Sequence, residues 1–251
     1  MKAKIGIIGG SGLDDPTILV EPRDIKVSTV WGEPSAALKV GKIASVEVAI
    51  LARHGREHRI PPSRVNYRAN IRALADFGCT HILATTAVGS LREEIRRGDI
   101  VILDQFIDFA RGRASTFIES FEPHSPIHPA MPDPFDEGLR KILAGVCAKR
   151  GHPFHEKGTV VTIEGPRFST RAESRMFRAW GADVINMSVA TEAALASEAG
   201  IPYAAIAMST DYDSWKEEEA VSWEAVLAVF KANAEKVTAL LIDAIGEIAS
   251  R

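Results

Sequence analysis

The chain has 251 residues, of which 46% are hydrophobic and 25% are charged, and its net charge is −3. These values are typical of a globular protein, and without a basic excess we expect no nucleic-acid partner. We expect no membrane partner either, because no apolar run is long enough to span a bilayer. No signal peptide is apparent, and Cys79 and Cys147 lie in apolar surroundings. A cytoplasmic protein with two buried, unpaired thiols is therefore expected.

Apolar runs of strand length alternate with segments of helical periodicity, which is typical of an α/β fold. Strands are predicted at residues 5–8, 46–52, 82–86, 100–103, 160–163, 184–187 and 203–208. Helices are predicted at residues 63–77, 134–149, 169–180, 191–199 and 222–248. Ser222 predicts a capped start of the last helix. The glycines that directly follow four of the helices are expected at C′ positions: Gly78, Gly151, Gly181 and Gly200.

The stretch 111–134 interrupts this alternation. It is rich in Ser, Pro and His and has no helical or strand period. A loop of this length inside a compact domain is usually functional or packs against another subunit.

Polar and glycine residues collect directly after the predicted strands. The segments are 9–12, 53–55, 85–90, 164–168, 186–188 and 211–213. Ligands of α/β sheets bind beyond the carboxyl ends of the strands. The sequence therefore predicts one site to which six strand ends contribute.

Asp211 and Asp213 stand one residue apart after the apolar run 203–208. Side chains at i and i+2 of a strand face the same side, so an extended chain as far as residue 213 would direct both carboxylates into one crevice. Two adjacent carboxylates repel, and one is then expected to keep its proton near neutrality and act as an acid. The alternative is a pair of solvated loop acids, and this segment alone favours neither.

An anion site is indicated by a glycine-rich turn with Ser11, by Arg53 with His54, and by the hydroxyls at residues 85–86. Backbone N–H groups of such a turn suit phosphate, and arginine offers it a two-donor fork. Each feature has a structural alternative. The glycines would also suit a tight turn after a strand, Arg53 and His54 could be a pair of surface residues, and the residues at 85–86 could reflect the β-propensity of threonine.

Three other site classes find little support. The G-x-G-x-x-G fingerprint beginning at Gly10 ends on Asp15, and Pro16 follows, so a dinucleotide site is not expected. His54 and His58 have i, i+4 spacing but precede two prolines, so no metal site is expected. The G-x-S-x-G motif of hydrolases is missing from the sequence.

Eight segments, taken in chain order, form a combination far more specific than any one of them. They are IGIIGGSGLDD (5–15), LARHG (51–55), VNY (65–67), TTAVGSLREE (85–94), DQFID (104–108), TIEGPRFS (162–169), DVINM (183–187) and STDYD (209–213). The combination resembles the trimeric branch of the purine nucleoside phosphorylase family, in particular its members that act on S-methyl-5′-thioadenosine. The resemblance extends from residue 4 to about residue 250. It implies a single domain, residues 1–251, with a mixed central β-sheet flanked by helices.

The resemblance implies that S-methyl-5′-thioadenosine and inorganic phosphate react to give adenine and 5-methylthioribose 1-phosphate, in purine and methionine salvage. It implies a homotrimer with shared active sites and no metal or organic cofactor, because phosphate is a co-substrate. The implied phosphate ligands are Ser11, Arg53, His54, Thr86, Ala87 through its backbone, and Ser188. The implied nucleoside ligands are Met187 under the ribose, Phe168 on the base, Asp211 and Asp213 at N7 and the 6-amino group, and His128 in the 5′ pocket of a neighbouring subunit. The N7 carboxyl group, that of Asp211, would be the catalytic acid.

Two departures bear on selectivity. The chain ends at Arg251, whereas relatives often carry a further segment that helps to close the alkylthio pocket, so 5′ selectivity stays open. Trp223, where several relatives have a smaller aliphatic residue, either replaces part of that lid or fills core. Relatives that accept 6-oxopurines typically have Asn where this chain has a carboxylate, so we expect an adenine nucleoside. The alternatives are a phosphorylase of adenosine, 5′-deoxyadenosine or methylthioinosine and, more distantly, a non-catalytic nucleoside-binding protein.

Overall fold

The computed structural model describes residues 2–9, 18–219 and 222–250. Within these ranges eleven strands belong to one mixed sheet. The strands are β1 (Lys4–Gly9), β2 (Val20–Ile25), β3 (Leu38–Ile43), β4 (Val46–Ala52), β5 (His81–Ser90), β6 (Ile100–Ile102), β7 (Gln105–Phe109), β8 (Phe154–His155), β9 (Thr159–Ile163), β10 (Val184–Asn186) and β11 (Tyr203–Tyr212). The helices are α1 (Tyr67–Phe77), α2 (Glu137–Arg150), α3 (Arg171–Ala179), α4 (Val189–Glu198) and α5 (Trp223–Ala249), with a short 3₁₀ helix at Pro62–Arg64. The predicted α/β class with a mixed sheet is confirmed.

The long strand β5 is the branch point of the sheet. The main order is β2-β3-β4-β1-β5-β10-β9-β7, while β11 pairs with β5 and with β6, which also pairs with β8. One edge of β5 is taken by β11. On the other edge, β1 runs parallel to β5 as far as the pair Ile8–Ala84, and β10 joins only at Gly89. Within the described ranges, residues 85–88 have no strand partner on this edge, so the sheet opens there.

Helices cover the sheet from both sides. Leu74 of α1 and Val189 of α4 belong to the hydrophobic cluster on one face. Val146 of α2 and Leu241 of α5 belong to the cluster on the other face. Consecutive residues of β1 alternate between the two clusters, as strand side chains do. A strand that is buried on both faces reads as a continuous apolar run, which explains why the central strands were predictable.

The helix bounds differ from the predicted ones by at most four residues, and N-cap contacts explain the later starts. Helix α1 begins at residue 67 rather than 63, because the Asn66 side chain accepts a hydrogen bond from the backbone N–H of Ala69. Asp136 caps α2 in the same way, and this helix begins at residue 137 rather than at the predicted 134. Ser222 caps α5 as predicted. Side-chain capping of free N–H groups thus fixes where these helices begin.

Four strands were not predicted: β2, β3, β7 and β8. Strand β2 lies at the sheet edge, is almost entirely exposed and contains Pro22, so it has no apolar run to read. Strand β8 has only two residues. Strands this short or this exposed are held by pairing with a distant strand rather than by their own composition.

Local expectations about the loop, the glycines and the cysteines are confirmed. Residues 111–134 contain no helix and only an isolated bridge. The C′ glycines have positive φ angles: Gly78 86°, Gly151 65°, Gly181 91° and Gly200 67°. Cys79 and Cys147 are buried and unpaired, and burial raises their thiol pKa values to about 12 and about 11. No helix among the described residues is long and apolar enough to cross a membrane.

Candidate active site

A cavity of about 630 Å³ lies where the sheet opens beside β5. Its walls come from residues 86–89 of β5, from the last residues of β9, β10 and β11 and the segments that follow them, from the segment after β4, and from the first turn of α5. Ligands of α/β sheets bind beyond the carboxyl ends of the strands, so the cavity lies where the sequence predicts a site. Nine of the predicted residues line the cavity: Arg53, His54, Thr86, Ala87, Phe168, Met187, Ser188, Asp211 and Asp213.

Two predicted residues are not part of this cavity as described. Ser11 lies outside the described residues. His128 is exposed on the 111–134 loop, where its ring meets that of Phe121 at 5.5 Å between centroids. His128 is predicted to reach the 5′ pocket of a neighbouring subunit, and this contact stays a prediction.

Asp211 and Asp213 form the carboxylate end of the cavity. Strand β11 extends to Tyr212 through a register shift between Ser209 and Asp211, so the extended conformation nearly reaches residue 213. A Cβ atom on Gly89 would lie 3.1 Å from Oδ2 of Asp211 and 3.4 Å from Cβ of Asp213, which places both acids over the same glycine. Both residues are buried. The alternative of a solvated loop pair is therefore wrong.

The Asp211 carboxyl group binds its proton more tightly than an ordinary aspartate. It is 5% exposed, and burial raises its pKa from 3.8 to about 6. The hydroxyl of Thr210, 2.7 Å from Oδ1, lowers the pKa in part, and the nearby charge of Asp213 raises it again. With a pKa of about 6, roughly a tenth of the molecules keep this proton at pH 7, far more than for an ordinary aspartate, and this neutral form is the one that a general acid requires.

Asp213 is held by hydroxyl groups of the segment around α3. Burial raises its pKa, and hydrogen bonds from Ser169 and Ser174 oppose that rise. Ser169 donates a short hydrogen bond to Oδ2. These donors fix the orientation of the carboxyl group, and the two oxygens of a carboxylate together accept about four hydrogen bonds, so capacity remains for a ligand.

Arg53 lies at the opposite end of the cavity and belongs to a buried hydrogen-bond network. Its side chain is 2% exposed and pairs with the equally buried Glu192 of α4. Nε and Nη2 donate to the two carboxylate oxygens, the latter at 2.9 Å, and Nη1 donates to the carbonyl of Thr85 at 3.0 Å. The hydroxyl of Tyr203 donates to the same carboxylate at 2.8 Å. Burial alone would lower the Arg53 pKa, but the pairing with Glu192 outweighs it and the pKa is raised.

This network bears on the prediction that Arg53 binds phosphate through two parallel N–H groups of its guanidinium group. The Nε–Nη2 edge of Arg53 holds Glu192 and cannot also hold an anion. An arginine has five N–H donors, so one N–H on each of Nη1 and Nη2 remains for a ligand in the cavity.

His54 contributes no positive charge at neutral pH. Its Nδ1 lies 2.8 Å from the carbonyl oxygen of Ile60. A carbonyl only accepts, so this nitrogen carries the proton. Burial, followed by the charge of Arg53, lowers the His54 pKa to about 4. His54 stacks on His58 at 4.5 Å, but among the described residues no group of side chains could hold a metal ion.

Thr86 and Ser188, together with Arg53 and His54, form the end of the cavity that suits an anion, which we call the anion end. Thr86 lines the cavity, whereas the preceding Thr85 does not. Asn186 donates to the Thr86 hydroxyl at 3.2 Å and accepts from Thr162 at 2.7 Å. Ser188 precedes the first turn of α4 and makes no capping bond. A helix N-terminus with a free hydroxyl suits an anion.

Apolar groups line the space between the two polar ends. Met187 packs against Gly165, where a Cβ would lie 2.4 Å from its sulfur. Phe168 is partly exposed to the cavity. Trp223 is 47% exposed at the cavity and its ring lies 5.9 Å from that of His58. Trp223 therefore forms part of the rim, and the alternative that it fills core is wrong.

The residues that hold the predicted ones in place were not predicted from the sequence. The most important is Glu192, whose only signal was a carboxylate within the otherwise apolar stretch of α4. Asn186 and Ser169 line the cavity and orient Thr86 and Asp213, respectively. Their partners are far away along the chain, so no local spacing could reveal them.

The sequence matches the family described as the Phosphorylase superfamily over residues 4–246. The S-methyl-5′-thioadenosine phosphorylase of Xenopus tropicalis is 56% identical over 251 residues, which cover 98% of this chain and 89% of that protein. The protein of the same name from Thermofilum pendens (strain DSM 2475 / Hrk 5) is 48% identical over 249 residues, which cover 98% of this chain and 93% of that protein.

Solved structures agree with these relatives. Methylthioadenosine phosphorylase from Schistosoma mansoni in complex with adenine superposes with a TM-score of 0.94 at 44% identity, covering 100% of this chain and 93% of that one. A variant of adenosine/methylthioadenosine phosphorylase from the same organism, in complex with methylthioadenosine, gives 0.92 at 43% identity with the same coverage. The resemblance drawn from the sequence is thus confirmed. The chain belongs to the phosphorylase superfamily and, within it, to the S-methyl-5′-thioadenosine phosphorylases.

Proposed function

We propose that the protein catalyses the phosphorolysis of S-methyl-5′-thioadenosine to adenine and 5-methylthioribose 1-phosphate, a step of purine and methionine salvage. The observation that carries this proposal is a single cavity with a buried, partly protonated Asp211 at one end and anion-binding groups at the other. The substrate is supported by the names of relatives that share about half of their residues with this chain over nearly its full length.

Asp211 acts as the acid in this proposal. Breaking the bond between C1′ and N9 sends an electron pair to the purine and leaves an oxocarbenium-like sugar. The Asp211 proton moves to N7 and neutralises the purine, while an oxygen of hydrogen phosphate forms the new bond to C1′. The proton that the phosphate loses as it becomes the sugar phosphate restores the neutral Asp211. General acid catalysis of this kind typically contributes about 10²–10⁴-fold. The two substrates supply every atom of the products, so we propose that no cofactor takes part.

The anion end would hold the phosphate nucleophile. Arg53, Thr86 and Ser188 line the cavity there. Arg53 has free N–H groups, Ser188 makes no capping bond, and the Thr86 hydroxyl would turn from the Ala87 carbonyl, 3.1 Å away, to the phosphate. We assign His54, Ala87 and Ser11 to the same subsite. Donors that are fixed before the ligand arrives need no reorganisation during the reaction.

The apolar middle and the carboxylate end would hold the nucleoside. Phe168 and Met187 line this part of the cavity, and we assign Phe168 to the base and Met187 to the ribose. Asp213, oriented by Ser169, has an oxygen to accept a hydrogen bond from a 6-amino group. An ionised carboxylate would instead repel a 6-oxo oxygen, which favours adenine nucleosides.

Adenosine is the second candidate substrate, because the Schistosoma mansoni neighbour is named an adenosine/methylthioadenosine phosphorylase. The deciding experiment measures base release from methylthioadenosine, adenosine, 5′-deoxyadenosine and methylthioinosine, each with and without phosphate. We expect phosphate-dependent release of adenine, fastest from methylthioadenosine. Release of free methylthioribose without phosphate would identify a hydrolase and overturn the proposal, and no release from any nucleoside would indicate a binding protein.

We further propose a cytoplasmic homotrimer in which each 111–134 loop completes a neighbouring site. This loop exposes Phe121, Ile127 and His128, and two buried unpaired thiols suit a reducing compartment. Heterologous contacts close into a ring at a third of a turn. The variants His128→Ala and Asp211→Ala, unfolded and refolded together, should regain part of the activity. Proven mixed trimers without any recovery would rule out the shared site.

A further inference from the structure

Arg113 is a buried cation of the 111–134 loop that does not line the cavity. Its side chain is 4% exposed. Nη1 donates to the carbonyl oxygen of Met187 and Nη2 to that of Glu164, each at 2.7 Å. Longer contacts reach the Tyr67 hydroxyl at 3.1 Å and the Ile163 carbonyl at 3.4 Å. One guanidinium group therefore holds two separate backbone segments.

These two segments directly follow the neighbouring strands β9 and β10 and lead to Phe168 and Met187, which form the wall of the cavity proposed to bind the nucleoside. Strands β9 and β10 run parallel, with Thr162 opposite Asn186. Glu164 and Met187 follow directly after the paired regions, where the ladder no longer holds the chains together. Beyond Glu164 the chain turns through Gly165 toward Phe168. The Arg113 contacts thus replace the missing ladder at the point where the chain enters the cavity wall.

The attachment is reciprocal. The Glu164 side chain accepts hydrogen bonds from the backbone N–H groups of Arg111 and Gly112 at 2.7 and 2.8 Å. Its other oxygen, Oε1, lies 3.5 Å from Nε of Arg113. Backbone N–H bonds and the charge of Arg113 outweigh the effect of burial and lower the Glu164 pKa, so Glu164 is ionised at neutral pH. The loop is therefore fastened to the strand ends by donors and acceptors from both sides.

We infer that Arg113 and Glu164 form a clamp that positions Met187 and the 165–168 segment for the nucleoside. Arg113 is a positioning residue, since it touches neither the cavity nor the reacting atoms. A buried guanidinium group without acceptors is costly, so the carbonyls of Met187 and Glu164 are held where this charge needs them. This inference deepens the proposed function and rests on it.

The clamp has a selective consequence. Met187 and Phe168 lie on the nucleoside side of the cavity, whereas Arg53 and Thr86 at the anion end have no contact with Arg113 among the described residues. Ser188 follows Met187 and links the clamped carbonyl to the anion end through one peptide bond. Loosening the clamp should therefore weaken nucleoside binding much more than phosphate binding, which keeps the donors of Arg53 and Thr86. A general loss of packing would instead lower the active fraction of the enzyme without changing either KM.

The test compares Arg113→Met, Arg113→Lys and the matched control Arg111→Met in the intact enzyme. Arg111 belongs to the same loop, but its side chain is exposed and stacks on the Phe109 ring at 4.5 Å. We measure the KM for methylthioadenosine and for phosphate, kcat, and the thermal unfolding temperature of each variant. We expect Arg113→Met to raise the nucleoside KM by about tenfold or more, because a misplaced positioning group weakens binding strongly. The phosphate KM should stay within about twofold, and Arg111→Met should change neither constant.

Arg113→Lys decides the matter if Arg113→Met fails to fold. A lysine keeps the charge but cannot present the planar fork that reaches both carbonyls, so it should raise the nucleoside KM with the same selectivity. A folded Arg113→Met or Arg113→Lys enzyme with an unchanged nucleoside KM overturns the clamp, as does an equal rise of both KM values. If the unmodified enzyme itself releases no adenine, the proposed function fails instead.

Discussion

Replacing Asp211 by asparagine should make the protein more stable and less active. Burial raises the pKa of this carboxyl group from 3.8 to about 6, so ionising it costs more free energy in the folded state than in the unfolded chain. The difference in pKa corresponds to about 3 kcal/mol, since one pKa unit is 1.36 kcal/mol. Asparagine has nearly the same shape and never ionises.

The sign of the pH dependence follows from linkage. Below about pH 4 the carboxyl group is protonated in both states, and the substitution should change the free energy of unfolding little. Between about pH 4 and pH 6 the unfolded chain releases its proton while the folded protein keeps it, so the wild type loses stability with rising pH. Above about pH 6 that loss is complete, and Asp211→Asn should be more stable than the wild type by up to about 3 kcal/mol.

Urea unfolding at a series of pH values, at one fixed protein concentration, measures this difference. The matched control is Asp76→Asn, which removes a surface carboxylate that pairs with Arg72 and touches no part of the cavity. The same Asp211→Asn protein should turn over methylthioadenosine at least about 10²-fold more slowly, because the amide cannot give a proton to N7. If the difference in unfolding free energy between the two proteins does not change from about pH 4 to pH 8, the pKa of the Asp211 carboxyl group is not raised by burial. Turnover within about threefold of the wild type would refute the catalytic role.

Two further substitutions test other parts of the cavity. Glu192→Gln leaves Arg53 buried without its countercharge and should destabilise the protein by about 3–5 kcal/mol. Added phosphate should then raise the unfolding temperature of the variant more than that of the wild type, because the anion replaces that countercharge; an equal rise in both proteins would contradict the contact of Arg53 with phosphate. Gly165→Ala places a Cβ 2.4 Å from the Met187 sulfur at a φ of 66°, so it should raise the KM for the nucleoside in steady-state kinetics. An unchanged nucleoside KM would show that Met187 can shift away from the added methyl group without loss of nucleoside binding.

Much of the fold was predictable because its central strands are buried on both faces. Strand β4 was predicted with the correct bounds, and the predicted start of β11 was also correct. The edge strand β2 was missed because exposure and a proline remove the apolar pattern that identifies a strand. The start of α1 was placed four residues early because the Asn66 cap overrides the helical period of the preceding residues.

The candidate site was predictable to the extent that strand ends meet at one place in an α/β sheet. That rule brings Asp211 and Arg53 to one cavity although they lie far apart in sequence. It could not supply the partner of Arg53, because Glu192 is 139 residues away and on a helix. The role of Arg113 was equally hidden, since its partners are backbone carbonyls, which carry no sequence signal.

The balance of charges explains why phosphate should be indispensable to the proposed reaction. Arg53 is paired with Glu192, so the two charges largely cancel. His54 is neutral at pH 7, since its pKa is lowered to about 4, and Asp211 retains part of its proton. The anion end therefore offers fixed donors but little charge of its own to stabilise a developing sugar cation. The incoming phosphate brings that negative charge to the side of C1′ opposite the purine, while Asp211 removes negative charge from the purine. Among the described residues, the carboxylates that line the cavity are Asp211 and Asp213, both at the other end, so the absence of phosphate should stop the reaction rather than only slow it.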